Sequence, residues 1–301
     1  MTDVDRERAM LRASELYYRD GMTQSAIAER LGCTRWTVGR LLKEASDSGM
    51  VTITINHPHA RVSTLEQELQ RKFEIERCRV VRMASSPAQT LGAVGRQAAD
   101  YLSDTRPIPR TVAMGWGRTI AAVAHAMRND WGRGVSIIQV DAAGGRPGSE
   151  TVNVALSLMA KRGHGSIHML DTPLVLRTKA EADRAHSVPA TSSLLDSAAN
   201  AEVLMFSPIV GPHGQDNYMA PSGPAVGSVF GHWITSDGNI ADEELDQRTM
   251  ALSLARAKGI RDKVVVCCGE EKWDALTATL AAGLADTLIT DSDTAAYLVD
   301  A

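Results

Sequence analysis

The sequence predicts an α/β protein in two parts: a small N-terminal winged helix-turn-helix domain, then a large doubly wound α/β domain. Three observations predict it. Residues 23–49 read as two short helices across a glycine turn, VTITIN (Val51 to Asn56) follows with strand-like alternation, and from Arg79 onward apolar strand-like runs alternate with amphipathic helices. At 301 residues the chain is long enough for a small domain plus one large domain with a full core. High aliphatic content with only 4% aromatic residues fits α/β architecture better than a β-sandwich.

The first element is an amphipathic helix over Arg6 to Tyr18, with Ala9, Met10, Ala13, Leu16 and Tyr17 facing inward. The helix pair comes next, with Ala26, Ile27 and Leu31 as apolar positions in its first member and Val38, Leu41 and Leu42 in its second. Gly32 supplies the positive φ of the turn, and Thr23 and Thr34 are placed to cap the two helices. Three helices complete a core, with VTITIN as a short wing strand.

The outward face of the second helix is Thr34, Arg35, Trp36, Thr37, Arg40 and Lys43. Between Arg30 and Lys43 there are four basic residues and no acidic one. In a helix-turn-helix this face enters the major groove, so operator DNA is the expected partner. Arg35 or Arg40 suits a bidentate contact to guanine, Gln24 and Lys43 suit phosphates, and Thr37 suits a thymine methyl. For Trp36 two roles stay open, a base contact or packing on the preceding helix. A helix pair with a glycine turn also occurs in plain all-α packing, but that leaves the exposed Trp-Arg pairing unexplained.

Net charge is −4 and the isoelectric point about 6.1, which argues against a protein that coats nucleic acid generally. Residues 1–60 carry eight basic and eight acidic side chains, so groove contacts and dimerisation must supply affinity. Cys33, Cys78, Cys267 and Cys268 form neither a disulfide framework nor a zinc pattern; Cys267 and Cys268 read as small buried hydrophobes at a strand end. No cofactor motif is present. Signal-peptide character is missing, and prolines and glycines rule out a membrane helix between Asn217 and Ser236, so a bacterial-type cytoplasm is expected, with no membrane partner.

The expected domains are 1–60 (DNA-binding), 61–78 (a linker helix) and 79–301 (ligand-binding). In the linker, Ser63 and Glu66 make a capping-box pattern for a helix to about Ile75, lined by Leu65, Leu69 and Phe73. Strands are expected at Arg79 to Met83, Thr111 to Met114, Val135 to Val140, Ile167 to Leu170, Val203 to Val210, Ala225 to Ile234, Lys263 to Cys268 and Thr287 to Thr290. Helices are expected at Leu91 to Leu102, Thr119 to Arg128, Thr151 to Lys161, Leu194 to Ala201, Thr249 to Lys258, Asp274 to Ala282 and Thr294 to Val299. Such alternation implies a largely parallel sheet covered on both faces, with ligands at the carboxyl ends of strands where the strand order reverses.

Two glycine-rich loops lie at such positions. MGWGRTI (Met114 to Ile120) opens a helix whose first N–H groups favour an anion, with Arg118 and Thr119 as further donors. It is neither a Walker A loop nor a full dinucleotide fingerprint. DAAGGRPGSE (Asp141 to Glu150) comes after Gln139 and precedes Asn153. Lys272, after Gly269, is either an exposed helix-start lysine or a charge in the crevice. Catalysis would need a positioned acid or base; His125, His164, His168, His213 and His232 show no arrangement with paired carboxylates.

The run from Leu16 to Ile55 resembles the N-terminal signature of the SorC family of bacterial sugar-responsive regulators (DeoR/SorC type). Tyr17-Tyr18 precedes the turn, Thr23-Gln24 opens the second helix, and Arg40-Leu41-Leu42, Ala45, Gly49 and the β-type run come after. Gly39 departs, since the family usually has a serine there that can reach a phosphate. The resemblance extends over nearly the whole chain and implies an effector domain similar to sugar-phosphate isomerases and glucosamine-phosphate deaminases. In that family Gly115, Gly117 and Thr119 would hold the phosphate or equivalent end of the effector, and Gly269 and Lys272 would add charge. Leu288 to Asp291 with Thr294 and Ala295 also fits.

The family's G-A-V-G-acid segment falls on Pro224 to Ser228, with Ser228 where a carboxylate is usual, so either the effector carries fewer hydroxyls at that end or Gln139, Asp141 or Asp216 takes over. The resemblance implies a dimer or tetramer controlled by a sugar phosphate or polyol. A sugar-phosphate isomerase or deaminase with an appended DNA-binding domain is the alternative, and a nucleic-acid-binding scaffold with a vestigial pocket is a third reading.

Overall fold

The computed structural model describes residues 3–51, 62–142, 149–210 and 220–301. It divides into two compact units, Met1–Asn56 and His57–Ala301. The expected wing at VTITIN falls outside the described residues beyond Val51, as do most of the Asp141 to Glu150 loop, His213 and Asp216.

In the small unit, helix α1 (Asp3–Ser14) continues into a wider π-helical turn (Glu15–Arg19), closed by Asp20 N–H donating to Glu15 C=O at 3.1 Å. The extra residue per turn shifts the direction of the side chains after it. Leu16 stays in the core with Met10 and Ala13, but Tyr17, expected inside, is turned out with Tyr18, their rings edge-to-face at 5.0 Å. Helices α2 (Gln24–Leu31) and α3 (Arg35–Asp47) form as expected. Thr23 Oγ1 accepts from Ala26 N–H, Thr34 Oγ1 accepts from Thr37 N–H, and Gly32 between them has φ +63°. Ile27, Ala28, Val38, Leu41, Leu42 and Ala45 close the core.

The large unit opens with α4 (Ser63–Phe73) and β1 (Arg77–Val81). Here the expected capping box is not formed, because Val62 takes the cap position and Glu66 turns inward. Only 5% exposed, Glu66 accepts a hydrogen bond from Val80 N–H at 2.9 Å. Leu69 joins the same core as Val80 and Leu298, and Lys72 Nζ donates to Val299 C=O, so this helix is packed into the α/β unit.

Then come α5 (Pro87–Asp104), β2 (Thr111–Met114), α6 (Arg118–Ala126), β3 (Ser136–Gln139), α7 (Ser149–Arg162) and β4 (Ser166–His168). Next are α8 (Lys179–His186), α9 (Pro189–Ala199), β5 (Val203–Phe206), β6 (Ile209–Val210), β7 (Gly227–Val229) and β8 (His232–Ile234). The chain closes with α10 (Glu243–Asp246), α11 (Leu254–Lys258), β9 (Lys263–Val266), α12 (Trp273–Ala281), β10 (Thr287–Asp291) and α13 (Ser292–Asp300). Two expected strands are split: Pro208 interrupts the first, and the positive-φ pair Phe230 and Gly231 folds the second into a hairpin. The helix expected from Thr249 starts only at Leu254, because Thr249 and Ala251 bridge to Val175 and Asp141 in extended form. Polar α8 and short α10 were not expected, since neither carries a full apolar stripe.

Seven strands form one parallel sheet in the order β1-β10-β9-β5-β2-β3-β4, and β6-β7-β8 form a small antiparallel sheet. Alternate residues of the central strands face opposite cores. Val203, Met205, Val264 and Val266 meet α5, α6 and α7 residues such as Val94, Ile120 and Leu156. Leu204, Phe206, Val265 and Cys267 meet α9, α11, α12 and α13 residues such as Leu195, Leu254, Leu276 and Leu298. Burial on both faces explains why these strands read as continuous apolar runs. From β2 the chain moves outward through β3 and β4, then returns to β5 on the other side and proceeds to β9 and β10. The order therefore reverses between β2 and β5.

Candidate functional site

The carboxyl ends of β2 and β5 are where a doubly wound sheet leaves a crevice. Gly115 continues β2, its N–H donating to Met205 C=O at 2.9 Å, and a Cβ there would stand 2.9 Å from Phe206 Cβ. The glycine keeps the loop pressed on the neighbouring strand. Gly117 ends the loop at φ +140°, and α6 begins with Ala121 N–H bonded to Gly117 C=O. The N–H groups of Arg118, Thr119 and Ile120 precede that first helical bond and form an anion-favouring end.

Lys272 reaches the same place from the far side. Its ammonium donates to Thr119 Oγ1 at 3.1 Å and to Ser207 Oγ at 3.0 Å, joining the ends of β9, β2 and β5. Two of its three N–H groups are so used, leaving one for a ligand. The crevice-charge reading of Lys272 is the one this geometry supports. Arg118, exposed, makes no ion pair among the described residues. A cavity of about 980 Å³ opens over this point, walled by Trp116, Ile209, Val210 and Trp273, with Glu270, Glu271 and Asp293 also on its lining.

Asp291 also borders the cavity but is committed to structure. It accepts from Gly269 N–H, Asp293 N–H and Thr294, capping α13, and Thr294 Oγ1 in turn accepts from Trp273 Nε1–H. Burial pushes the Cys267 thiol, off the cavity lining, up to about 12 and the Cys268 thiol, on that lining, up to about 11, with the Lys272 charge pulling each down by less.

Of the nine residues expected at a ligand, Gly117, Arg118, Thr119 and Lys272 line the cavity, and Gly115 backs it. Gln139, Asp141, Asn153 and Ser228 are not on its lining. Gln139 is 0% exposed, and both its amide atoms lack a hydrogen-bond partner among the described residues, as does Asn153 Oδ1. Ser228 is buried in β7, opposite Ile209 and Trp233. Ser207 escaped the sequence reading because nothing local marks a serine before a proline; only the strand order puts it beside Lys272.

His232 is a core side chain, its Nδ1 2.6 Å from Asp246 and its Nε2 3.1 Å from Leu252 C=O. Both nitrogens are engaged, so it offers no free base. His164 pairs with Asp130 on the surface.

In the small unit, Gln24, Arg35, Trp36, Gly39, Arg40 and Lys43 line a hollow on the outer face of α2 and α3. Trp36 is 72% exposed, which decides between its two roles against packing. Arg40 lies 5.1 Å from its ring centroid and 3.6 Å from Glu44, which Arg6 grips with two hydrogen bonds of 2.9 and 2.6 Å. Thr34 and Thr37 share a hydroxyl hydrogen bond of 2.8 Å.

Residues 57–300 match the family model described as "Putative sugar-binding domain". The chain is 26% identical over 320 residues to the sorbitol operon regulator of Klebsiella pneumoniae, covering 99% of this chain and 100% of that protein. It is 27% identical over 310 residues to the transcriptional regulator LsrR of Escherichia coli, covering 97% and 95%. The crystal structure of the full-length sorbitol operon regulator SorC from K. pneumoniae superposes with a TM-score of 0.70 at 23% identity, over 98% of this chain and 99% of that one.

Proposed function

As the chain belongs to the SorC family of sugar-binding transcriptional regulators, with the sugar-binding domain across residues 57–300, we propose that it regulates a carbohydrate or polyol operon through a phosphorylated sugar effector held between Thr119 and Lys272. The observation that carries this reading is the Lys272 ammonium, tied to two hydroxyls at the reversal of strand order and facing the N-terminus of α6. A lysine, a helix N-terminus and hydroxyl donors together suit a phosphate group. The Trp116 and Trp273 walls suit the apolar face of a sugar ring. Gln139, Asp141, Asn153 and Ser228, off the cavity lining, gain no support as hydroxyl contacts from this geometry.

Residues 1–60 form the DNA-reading end in this proposal, a helix-turn-helix made by α2 and α3. Arg35 and Arg40 contact bases, while Gln24 and Lys43 hold phosphates. Paired half-sites call for a dimer or tetramer that sets two α3 helices about 34–36 Å apart. An effector coupling of about 1–3 kcal/mol would change operator affinity roughly 5- to 150-fold.

The test is a titration of a sugar-phosphate panel against the full chain bound to DNA from its own upstream region. Expected is a change in DNA affinity with one panel member. Turnover of that compound by the purified protein would favour an enzyme instead, and a panel that neither shifts the melting temperature nor changes DNA affinity would overturn the effector assignment.

A further inference from the structure

We propose that Gly39 is a notch in α3 that receives a thymine methyl group against the exposed ring of Trp36. This rests on the reading of α3 as the helix that enters the major groove.

Glycine is a poor helix former, yet Gly39 sits within α3 rather than at either end. The protein itself gives no reason for it. Its φ lies outside the left-handed region, and a Cβ built there would meet only Gln24 Oε1, at an ordinary 3.8 Å. The demand for a missing side chain therefore comes from outside the fold. On a helix, positions 36, 39, 40 and 43 share one face, so Gly39 leaves a gap between Trp36 and Lys43, floored by Gln24.

The chemistry around the gap selects its occupant. Arg35, Arg40 and Lys43 surround it, which suits a polyanion. Trp36 and the bare backbone of Gly39 make the gap itself apolar, and the apolar group that projects into the major groove is the thymine 5-methyl. The wall is braced, because Trp36 is stacked by Arg40, Arg40 is held by Glu44, and Glu44 is gripped by Arg6. Thr37, the candidate for this contact on sequence alone, shares its hydroxyl with Thr34 at the start of the helix.

The experiment uses the full-length protein and a duplex it selects from a random-sequence pool. Each thymine is replaced singly by deoxyuridine, and binding is measured for the wild type and for Gly39→Ala. Expected for the wild type is a loss of roughly fourfold at one thymine per half-site, the value of one buried methyl. Gly39→Ala should weaken binding at least about fourfold, the value of the same methyl contact, with an unchanged or raised Tm, and should erase the thymine-uracil difference at that position.

Wild-type affinity in Gly39→Ala would overturn the notch. Weakened binding with the thymine-uracil difference intact would also overturn it, pointing to the sugar-phosphate backbone instead. Failure of the wild type to enrich any sequence would overturn the DNA reading itself, and the notch with it.

Discussion

Lys272 Nζ stands 3.1 Å from Thr119 Oγ1, although 153 positions separate the two residues in the chain. The pairing exists because β5 lies between β9 and β2 in the sheet, so a long lysine side chain starting after β9 crosses the end of β5 and meets the loop after β2. Ser207, at the end of β5, supplies the intermediate hydroxyl.

Lys272→Met keeps the length of the side chain but removes the charge. We expect effector affinity to fall by about 1.5–3 kcal/mol, roughly 10- to 150-fold, the range for a charged hydrogen bond. Calorimetric titration of the effector reads this, while DNA binding without effector should stay at wild-type strength. An unchanged dissociation constant would remove Lys272 from the site.

Arg40→Ala should cost about 1–3 kcal/mol of operator affinity and relax the preference at one base position. Fluorescence anisotropy on matched duplexes measures both. Effector binding should be unaffected, and a parallel loss of it would contradict separate sites for the two ligands.

Glu66→Ala should destabilise the protein by about 1–3 kcal/mol, because Val80 N–H is left buried without its acceptor. Urea unfolding of the full chain measures this. A capping role alone, as the sequence pattern suggests, would cost at the lower end of that range.

Gly115→Ala forces a methyl to 2.9 Å from Phe206 Cβ at the junction of β2 and β5. Overpacking of that kind costs about 1–3 kcal/mol, read as a lower Tm. The same variant should weaken effector binding, since the loop carrying Thr119 must shift.

The Cys267 and Cys268 thiols, raised from 9.0 to about 12 and about 11, stay protonated in the native protein at pH 8, and a thiol-reactive dye should not label Cys267, which is 0% exposed, until the chain unfolds. Above about pH 9 an unfolded chain loses those protons while the folded one keeps them, so stability should fall as pH rises through that value. Labelling rate and urea midpoint against pH check the two statements.

Local signals carried much of the fold and part of the site. The Thr23, Gly32 and Thr34 punctuation of the helix pair, the apolar runs of the parallel sheet and the glycine loop before Thr119 all depend on neighbouring residues, and the structure shows each. Where the expectations slipped, a contact distant in sequence prevailed. Glu66 left its capping pattern for Val80, the π-helical turn rotated Tyr17 outward, and extended pairing with Val175 and Asp141 held off the start of α11.

By itself the sequence determined the two-unit plan, the capped helix pair across Gly32 and the alternation that requires a sheet covered on both faces, because caps, turns and hydrophobic period are local properties. Only the tertiary structure decided that β5 returns beside β2, that Ser207 joins Thr119 and Lys272, that Gln139 lies off the cavity lining, and that Trp36 faces solvent. Strand order and side-chain burial depend on long-range packing, which no short stretch of the chain encodes on its own.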